Sequence, residues 1–457
     1  MPLAFEWLCL IPPIVIIVWA VATKRTFSAL IIGAGLCYIL MYGAGFFGPA
    51  VDGMYSVLMD GDTVWVICLT IFIGIFIELV TNSGGVDALT QYILKFATNR
   101  RRTLLSTFIL GLAFFIGDVS NVGTVGATMK KTADKNRIPR EALAYVLDST
   151  AAPVCIMVPI SSWGVYFAGI FMAEESLNFT GTAMSNYVHV IPFMFYSMAA
   201  VLVVGLFAAG ALPKLGTMKK AYARVEAGGN VYSDRSIALN VDDAEAEDME
   251  RVPAWKTLMF LIPLVILVIW AIRGMFMEGA MIAIGVACIM YVPLKIMSFG
   301  DFCRHCMNGF KNMLSPVIII VGAFMVRDAL VAMGMPEYIS GAVGGILNPA
   351  ILPAIVFVVV GALSFTTGSN WGVPAVMVPI IVPLALSIGC DPYIVLAAIG
   401  CGGCFGSHAC FYSDATVFTS AVCKIDNMDH ALSQLPYCLL SAGIATIAFL
   451  VAGIVVI

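Results

Sequence analysis

The chain has 457 residues, 61% of them apolar and 11% charged, against about 25% charge in ordinary soluble domains. This composition excludes a string of soluble domains and implies a polytopic membrane protein, with room for roughly ten spans of about 20 residues each. A net charge of -4, from 24 basic and 28 acidic residues, gives no reason to expect a nucleic-acid partner; the lipid bilayer is the expected partner, and any role for charge depends on where it sits.

The first apolar segment, Leu8 to Val21, is preceded by no basic n-region and followed by no small-residue cleavage site. It is expected to stay as a span rather than be removed as a signal. With the N-terminus outside, spans near 5–22, 27–47 and 64–82 put Lys24, Arg25, Lys95 and Arg100 to Arg102 in the cytoplasm. The apolar stretch Thr103 to Thr128 is interrupted by Gly117-Asp118-Val119-Ser120-Asn121-Val122-Gly123 and followed by Lys130, Lys131, Lys135, Arg137 and Arg140. A full span would carry one basic cluster outside, whereas a re-entrant hairpin keeps both inside. A long segment from Glu141 to about Phe171 then runs outward, and 188–212 returns.

Pro213 to Ala254 breaks the hydrophobicity with Lys214, Lys219, Lys220 and Arg224, then an acidic run from Asp242 to Glu250. It reads as a cytoplasmic linker, 213–254, between two halves, 1–212 and 255–457. Second-half spans are expected near 255–272, 279–294 and 314–333. A hairpin entering from outside over 350–390 follows, then spans near 392–423 and 432–456. This orientation leaves Arg273 and Arg327 as the two of 24 basic residues outside the cytoplasmic side.

The halves also look alike. Ile11-Pro12 with Trp19 matches Ile262-Pro263 with Trp270, and Phe114-x-x-Gly117 matches Phe365-x-x-Gly368, both at an offset of 251 residues. An unchanged offset in two separate places indicates an internal repeat, and five spans in the first half invert the second. The expected fold is therefore an all-α membrane protein of two inverted-topology repeats, each of about five transmembrane helices plus one re-entrant hairpin.

Non-helical backbone at membrane depth survives only where protein buries it or water lines it, so interruptions locate a site. One hairpin tip carries Asp118, Ser120, Asn121 and Thr124. The following span is broken at Asp148-Ser149-Thr150-Ala151-Ala152-Pro153 and again at Pro159-Ile160-Ser161-Ser162-Trp163. The second hairpin tip runs from Ser364 to Gly372 and includes Thr367, Ser369, Asn370 and Trp371; the later break holds Ser407, His408, Ser413, Asp414 and Thr416. Carboxylates, hydroxyls and freed carbonyls are hard oxygen ligands for a desolvated cation such as sodium, with Asp118, Asp148 and Asp414 as its carboxylates. The N-termini of half-helices offer the opposite polarity and suit an organic carboxylate. An Asp at the bilayer centre costs about 2.5–3.5 kcal/mol on insertion scales, so three of them need a site or partners.

Plainer readings exist for each residue. Asp118 and Asp148 could cap helices; His408 is either a satisfied core histidine or a group that titrates near neutral pH. Single hydroxyls commonly bond back to the i-4 carbonyl, and Trp163 and Trp371 either pack or line a substrate pocket. Glu78 and Asp328, with Arg327 beside the latter, read as helix-end or interhelical ion pairs. The thirteen cysteines lie mostly in apolar runs, where a thiol acts as a small hydrophobe. Cys303 with Cys306 and Cys401 with Cys404 lack a second ligand pair for zinc, and no cofactor is expected.

The stretch Ala144-Tyr145-Val146-Leu147-Asp148-Ser149-Thr150-Ala151-Ala152-Pro153-Val154, with Pro159-Ile160-Ser161-Ser162-Trp163 behind it, resembles the NhaC-type sodium/proton antiporter family of the ion-transporter superfamily, and the likeness covers nearly the whole chain. The family's Gly-Asp-His and Ser-Pro-Ile-Ser-Asp-Thr-Thr read here as Gly406-Ser407-His408 and, further on, Cys410 to Thr416. His408, Ser413, Asp414 and Thr416 are kept, while Ser407 and Phe411 replace the family's Asp and Pro. The resemblance implies a bacterial plasma-membrane secondary transporter that exchanges sodium for protons by elevator-type alternating access, with sodium or the proton as coupling ion.

The lost carboxylate and the gain of Phe411 and Tyr412 point partly toward the alternative, sodium- or proton-coupled transport of a small organic carboxylate or amino acid. The chain could also work as a homodimer. An intramembrane aspartyl protease would need Gly-x-Gly-Asp and Tyr-Asp, but Phe115-Ile116-Gly117-Asp118 lacks the first glycine and the second motif is absent. His-Glu-x-x-His and Gly-x-Ser-x-Gly are absent too, so an enzyme is not expected. The repeat and broken helices favour a carrier over a channel.

Overall fold

A computed structural model describes residues 6–23, 25–172, 174, 177, 182–245, 252–273, 275–335, 338, 348–368 and 370–456. Among these residues the regular elements are all helical. The first half contains α1 (Ile11–Thr23), α2 (Thr26–Tyr42), α3 (Phe47–Met59), α4 (Gly61–Thr81), α5 (Gly85–Leu94), α6 (Arg100–Ala113), α7 (Asp118–Lys135), α8 (Arg140–Ser149), α9 (Ala152–Cys155), α10 (Ser162–Met172), α11 (Ala183–Val190) and α12 (Phe195–Ala208). After α13 (Gly216–Glu226), the second half runs through α14 (Thr257–Ile272), α15 (Phe276–Tyr291), α16 (Phe299–Asn312), α17 (Leu314–Ala332), α18 (Leu352–Thr367), α19 (Gly372–Ser387), α20 (Pro392–Ala409), α21 (Asp414–Cys423) and α22 (Asn427–Val456).

Six helical stretches among the described residues are long and apolar enough to cross a membrane, and the α11–α12 pair, bent by 57°, makes a seventh if counted as one span. The expected spans near 5–22 and 279–294 correspond to the shorter apolar helices α1 and α15. Segment 141–171 is three short helices because residues 150–151 and 156–161 leave the helical path. Helices α3, α5 and α16 fall outside the spans expected from the sequence. Ser298 starts α16 in a capping box with Asp301, a Ser-x-x-Asp signal readable in the sequence.

Exposure is inverted relative to a soluble protein. Ile14, Val18, Val265, Ile269, Ile447 and Ile454 lie exposed on α1, α14 and α22, which suits lipid as the solvent. The interior is formed instead by α8, buried along its whole length, and by the Pro392–Cys423 stretch, 89% of whose apolar window is buried. Two groups of helices surround the breaks. In one, α2 packs on α17 while α15 packs on α4, and α3 packs on α17 while α16 packs on α4. In the other, α6, α7 and α8 pack together, α21 lies against α7 and α8, and α18 lies against α20.

Helix α13 and the residues after it, up to 245, dock on the second group. Arg224 reaches both carboxylate oxygens of Glu141 at 2.9 and 3.0 Å, and Arg137 donates to the carbonyls of Val225 and Gly229 at 3.2 and 2.8 Å. The Lys214 ammonium sits 3.9 Å from the Phe207 ring centroid, and burial lowers its pKa.

Close approach of α18 and α20 depends on small residues, as in other membrane helix pairs. A Cβ at Gly406 would lie 2.2 Å from Ser364 Cβ and 2.6 Å from the Phe365 nitrogen, so backbone would have to move. Gly406→Ala is therefore expected to cost about 1–3 kcal/mol. Gly443→Ala, where nothing lies within 4 Å, should be neutral or stabilising, since alanine is about 1 kcal/mol better than glycine inside a helix. Thermal unfolding of the two purified variants compares them directly.

Candidate functional site

The sequence is interrupted where Gly, Pro, Asp and Ser weaken helical bonding, and each interruption leaves backbone groups that need partners. The breaks supply them for one another. Two of them, the α6–α7 and α18–α19 turns, lie at the positions where hairpin tips are expected. Ser162 N–H, at the start of α10, donates to the Ile116 carbonyl beside the first tip at 2.9 Å. Asn121 on that tip donates to Gly111 O at 2.8 Å and to Thr150 O, in the break after α8, at 3.0 Å. Tyr166 OH on α10 reaches Trp371 O on the second tip at 2.6 Å, and Tyr187 OH on α11 reaches Ile156 O at 2.6 Å. In the break before α21, Asn427 holds Phe411 O and Gln434 holds His408 O at 2.7 Å.

This bonding brings the two tips together. Trp163 Nε1 donates to Asp118 Oδ2 at 3.0 Å, and the Trp163 ring centroid lies 5.2 Å from that of Trp371. Tyr166 meets Trp371 edge-on at 4.7 Å. The tips border one cavity of about 350 Å³. It is lined by Asp118, Val119, Ser120, Ser162, Trp371 and Asp414 from the broken elements, together with Gly74, Ile77 and Glu78 of α4 and Asn312, Met313, Ser315 and Pro316 at the α16–α17 junction.

Asp118 is the first residue of α7 and Asp414 the first of α21. Asp414 Oδ1 accepts the Ala415 amide at 2.9 Å and the Asn370 side chain at 3.5 Å. Glu78 accepts from His305 Nδ1 at 3.1 Å and from Asn312 at 3.4 Å. Glu78 thus has the interhelical partner expected of it, and Glu78 itself lines the cavity. Asp328 pairs with Arg327 at 2.6 Å.

Asp148 is elsewhere. It lies near the C-terminal end of α8, so it does not cap a helix N-terminus, and it is not among the cavity-lining residues. Gln434 Nε2 donates to its Oδ2 at 2.8 Å, and His430 Nε2 lies 3.7 Å from the same oxygen. Asp148 Oδ1, Gln434 Oε1 and His430 Nε2 have no hydrogen-bond partner among the described residues. Asp118 and Asp414 are within electrostatic range of Asp148, but no three Asp, Glu, His or Cys side chains converge as a metal-holding group among the described residues.

The hydroxyls divide similarly. Ser149 Oγ meets His408 Nε2 at 2.9 Å, and Tyr196 OH meets His408 Nδ1 at 2.8 Å, so both ring nitrogens of His408 are engaged. Thr150 and Thr367 bond back to the Val146 and Leu363 carbonyls at 2.8 Å each. Ser161 takes the Gly164 amide at 2.9 Å, and Ser413 takes the Thr416 amide at 3.2 Å; both act as helix caps. Ser369 lies outside the described residues. Tyr196, His430 and Gln434 escape the sequence reading. For the last two, the available signal is their i, i+4 spacing, which puts them on one face of α22.

Comparison with known proteins adds the family. The model of the Na+/H+ antiporter family matches residues 154–454. An uncharacterized Haemophilus influenzae protein is 25% identical, covering 97% of this chain and 90% of its own length. The malate-2H+/Na+-lactate antiporter of Bacillus subtilis is 24% identical over 34% of this chain and 33% of its own length. The Na+/H+ antiporter NhaC of Alkalihalophilus pseudofirmus is 24% identical over 34% of each. Among solved structures, the chain is similar in fold to Neisseria gonorrhoeae MtrF, with a TM-score of 0.65, 12% identity, and coverage of 90% of this chain and 85% of that one.

Asn121 is the test of the bonding between breaks. Asn121→Ala leaves two buried carbonyls without this donor and is expected to destabilise by about 1–3 kcal/mol for each one left unpaired. Ser120→Ala, on the same tip but facing the cavity, should stay within about 0.5 kcal/mol of wild type. Unfolding midpoints of both variants in one detergent distinguish the two.

Proposed function

The chain belongs to the Na+/H+ antiporter family, and on that premise we propose that it exchanges sodium for protons by elevator-type alternating access. It is a secondary transporter and an integral membrane protein, and its named relatives are transporters rather than enzymes. The observation that carries the proposal is the meeting of Asp118 and Asp414 with both hairpin tips around one cavity. These carboxylates are hard oxygen ligands suited to a partly dehydrated sodium ion. Asp148, behind them on a broken span, is proposed to take sodium and the proton in alternation.

The elevator reading is supported by the two sets of residues that line the cavity. One belongs to the broken elements, and the other to α4 and the α16–α17 turn, so sliding one group past the other would carry the site across. Two inverted repeats, 1–212 and 255–457, are supported by the reciprocal packing of α2 on α17 and α15 on α4, the exchange that a two-fold axis relating the halves requires. The proposed orientation has the N-terminus outside and the 213–254 segment in the cytoplasm. Cysteines introduced for Lys130 and Lys219 should then resist an impermeant thiol reagent added from outside; labelling at position 130 from outside would make 103–128 a span.

A second reading, coupled transport of an organic solute, is favoured by the size of the cavity. At about 30 Å³ per water, 350 Å³ holds far more than one sodium ion.

The sodium reading is tested at Asp148. Asp148→Asn keeps the volume and removes the charge that offsets a desolvated cation, so sodium-driven proton flux in proteoliposomes should fall to background at matched insertion. Near-normal flux would make Asp148 structural and leave Asp118 and Asp414 as the ion ligands.

A further inference from the structure

We infer that the organic solute admitted by this cavity is a small ammonium ion rather than a carboxylate. The inference rests on the second reading above and names the substrate class for the same cavity. Three carboxylates, Asp118, Asp414 and Glu78, line it, and its described lining contains no Lys, Arg or His. His305 pairs with Glu78, whereas Asp118 and Asp414 take neutral N–H donors, from Trp163 and from Asn370 and the Ala415 amide. A substrate carboxylate would meet like charge with no side-chain cation to receive it.

Helix N-termini attract anions, but at α10 and α21 the chain's own hydroxyls and a carboxylate already take first-turn amides. The first turn of α10 is capped by Ser161 and that of α21 by Ser413 and Asp414, while the first residue of α7 is Asp118 itself. Helix α17 continues from α16 through a single turn residue, Met313, whose carbonyl accepts the Val317 amide. Carbonyls freed by the breaks, such as Ile116 O and Trp371 O, are likewise engaged. What the cavity presents is carboxylate oxygen, neutral hydroxyl and amide groups from Ser120, Ser162, Ser315 and Asn312, and the Trp371 ring.

That ring suits an organic cation. An indole is the strongest of the aromatic partners for a cation, and Trp371 is held by the Tyr166 hydrogen bond and by ring contacts with Trp163 and Tyr166. Ile77, Val119, Met313 and Pro316 supply apolar surface for a short carbon chain, and the volume leaves room for one beside the charged head.

The test is a thermal-shift series on the full-length purified protein at constant ionic strength, with sodium, ethanolamine, choline, putrescine, malate and lactate added singly. A solute that binds the native state raises the melting point by mass action. At least one of the three ammonium compounds should raise it in wild type, malate and lactate should not, and the shift should vanish in Asp414→Asn and shrink in Trp371→Phe. Stabilisation by malate or lactate, an ammonium shift that survives Asp414→Asn, or no ammonium shift at all would overturn the inference. If Asp414→Asn does not fold, Asp118→Asn serves the same comparison. Loss of the sodium/proton reading would appear separately, as absence of sodium-driven proton flux in wild type, and would leave the ammonium result standing.

Discussion

Backbone polar groups inside a bilayer must find partners within the protein, and here the broken helices find them largely in one another. Ile116 O is bonded by the start of α10, Thr150 O by Asn121 of α7, and Trp371 O by Tyr166 of α10. In each of these bonds the donor comes from a different element. The interruptions therefore have to assemble as a set, and the assembly fixes Asp118, Asp414 and Trp371 around a common space.

The same constraint governs the charges. A lone carboxylate at the bilayer centre costs about 2.5–3.5 kcal/mol, and each one here is offset differently. Asp118 receives an indole N–H and Glu78 receives a histidine. Asp148 is bonded by a glutamine but retains an oxygen with no partner among the described residues. A fully buried polar atom without a partner is costly, and on the proposed reading that cost is carried because the oxygen is used during exchange. The cavity-facing pair and the buried carboxylate then form two layers of one broken core, close enough to feel each other's charge.

Much of the arrangement was legible in the sequence because helix breaks are written in local chemistry. Gly117, Pro153, Gly368 and Asp414 each sit at or beside an observed break, and the matched Phe-x-x-Gly offset falls at the ends of α6 and α18. What could not be read was the pairing between breaks. Nothing local to Asn121 indicates that it spans from Gly111 to Thr150, and nothing local to Asp148 indicates that α22 turns Gln434 and His430 toward it. Local pattern groups Asp118, Asp148 and Asp414 as one set of ligands; packing separates Asp148 from the cavity. Hydroxyls that looked like ligands, Ser161 and Ser413, serve as caps, because capping is satisfied within a few residues whereas a cation site requires several elements to converge.

The central proposal is that sodium binds at Asp118 and Asp414, the first residues of α7 and α21. Carbodiimide modification of individual carboxyls, quantified by peptide mass spectrometry on wild-type protein in sodium or potassium, tests it without any substitution. The account predicts that sodium slows modification of Asp118 and Asp414 but leaves the exposed residue Asp60 unchanged. Equal rates in the two salts, or equal protection of Asp60, would contradict it.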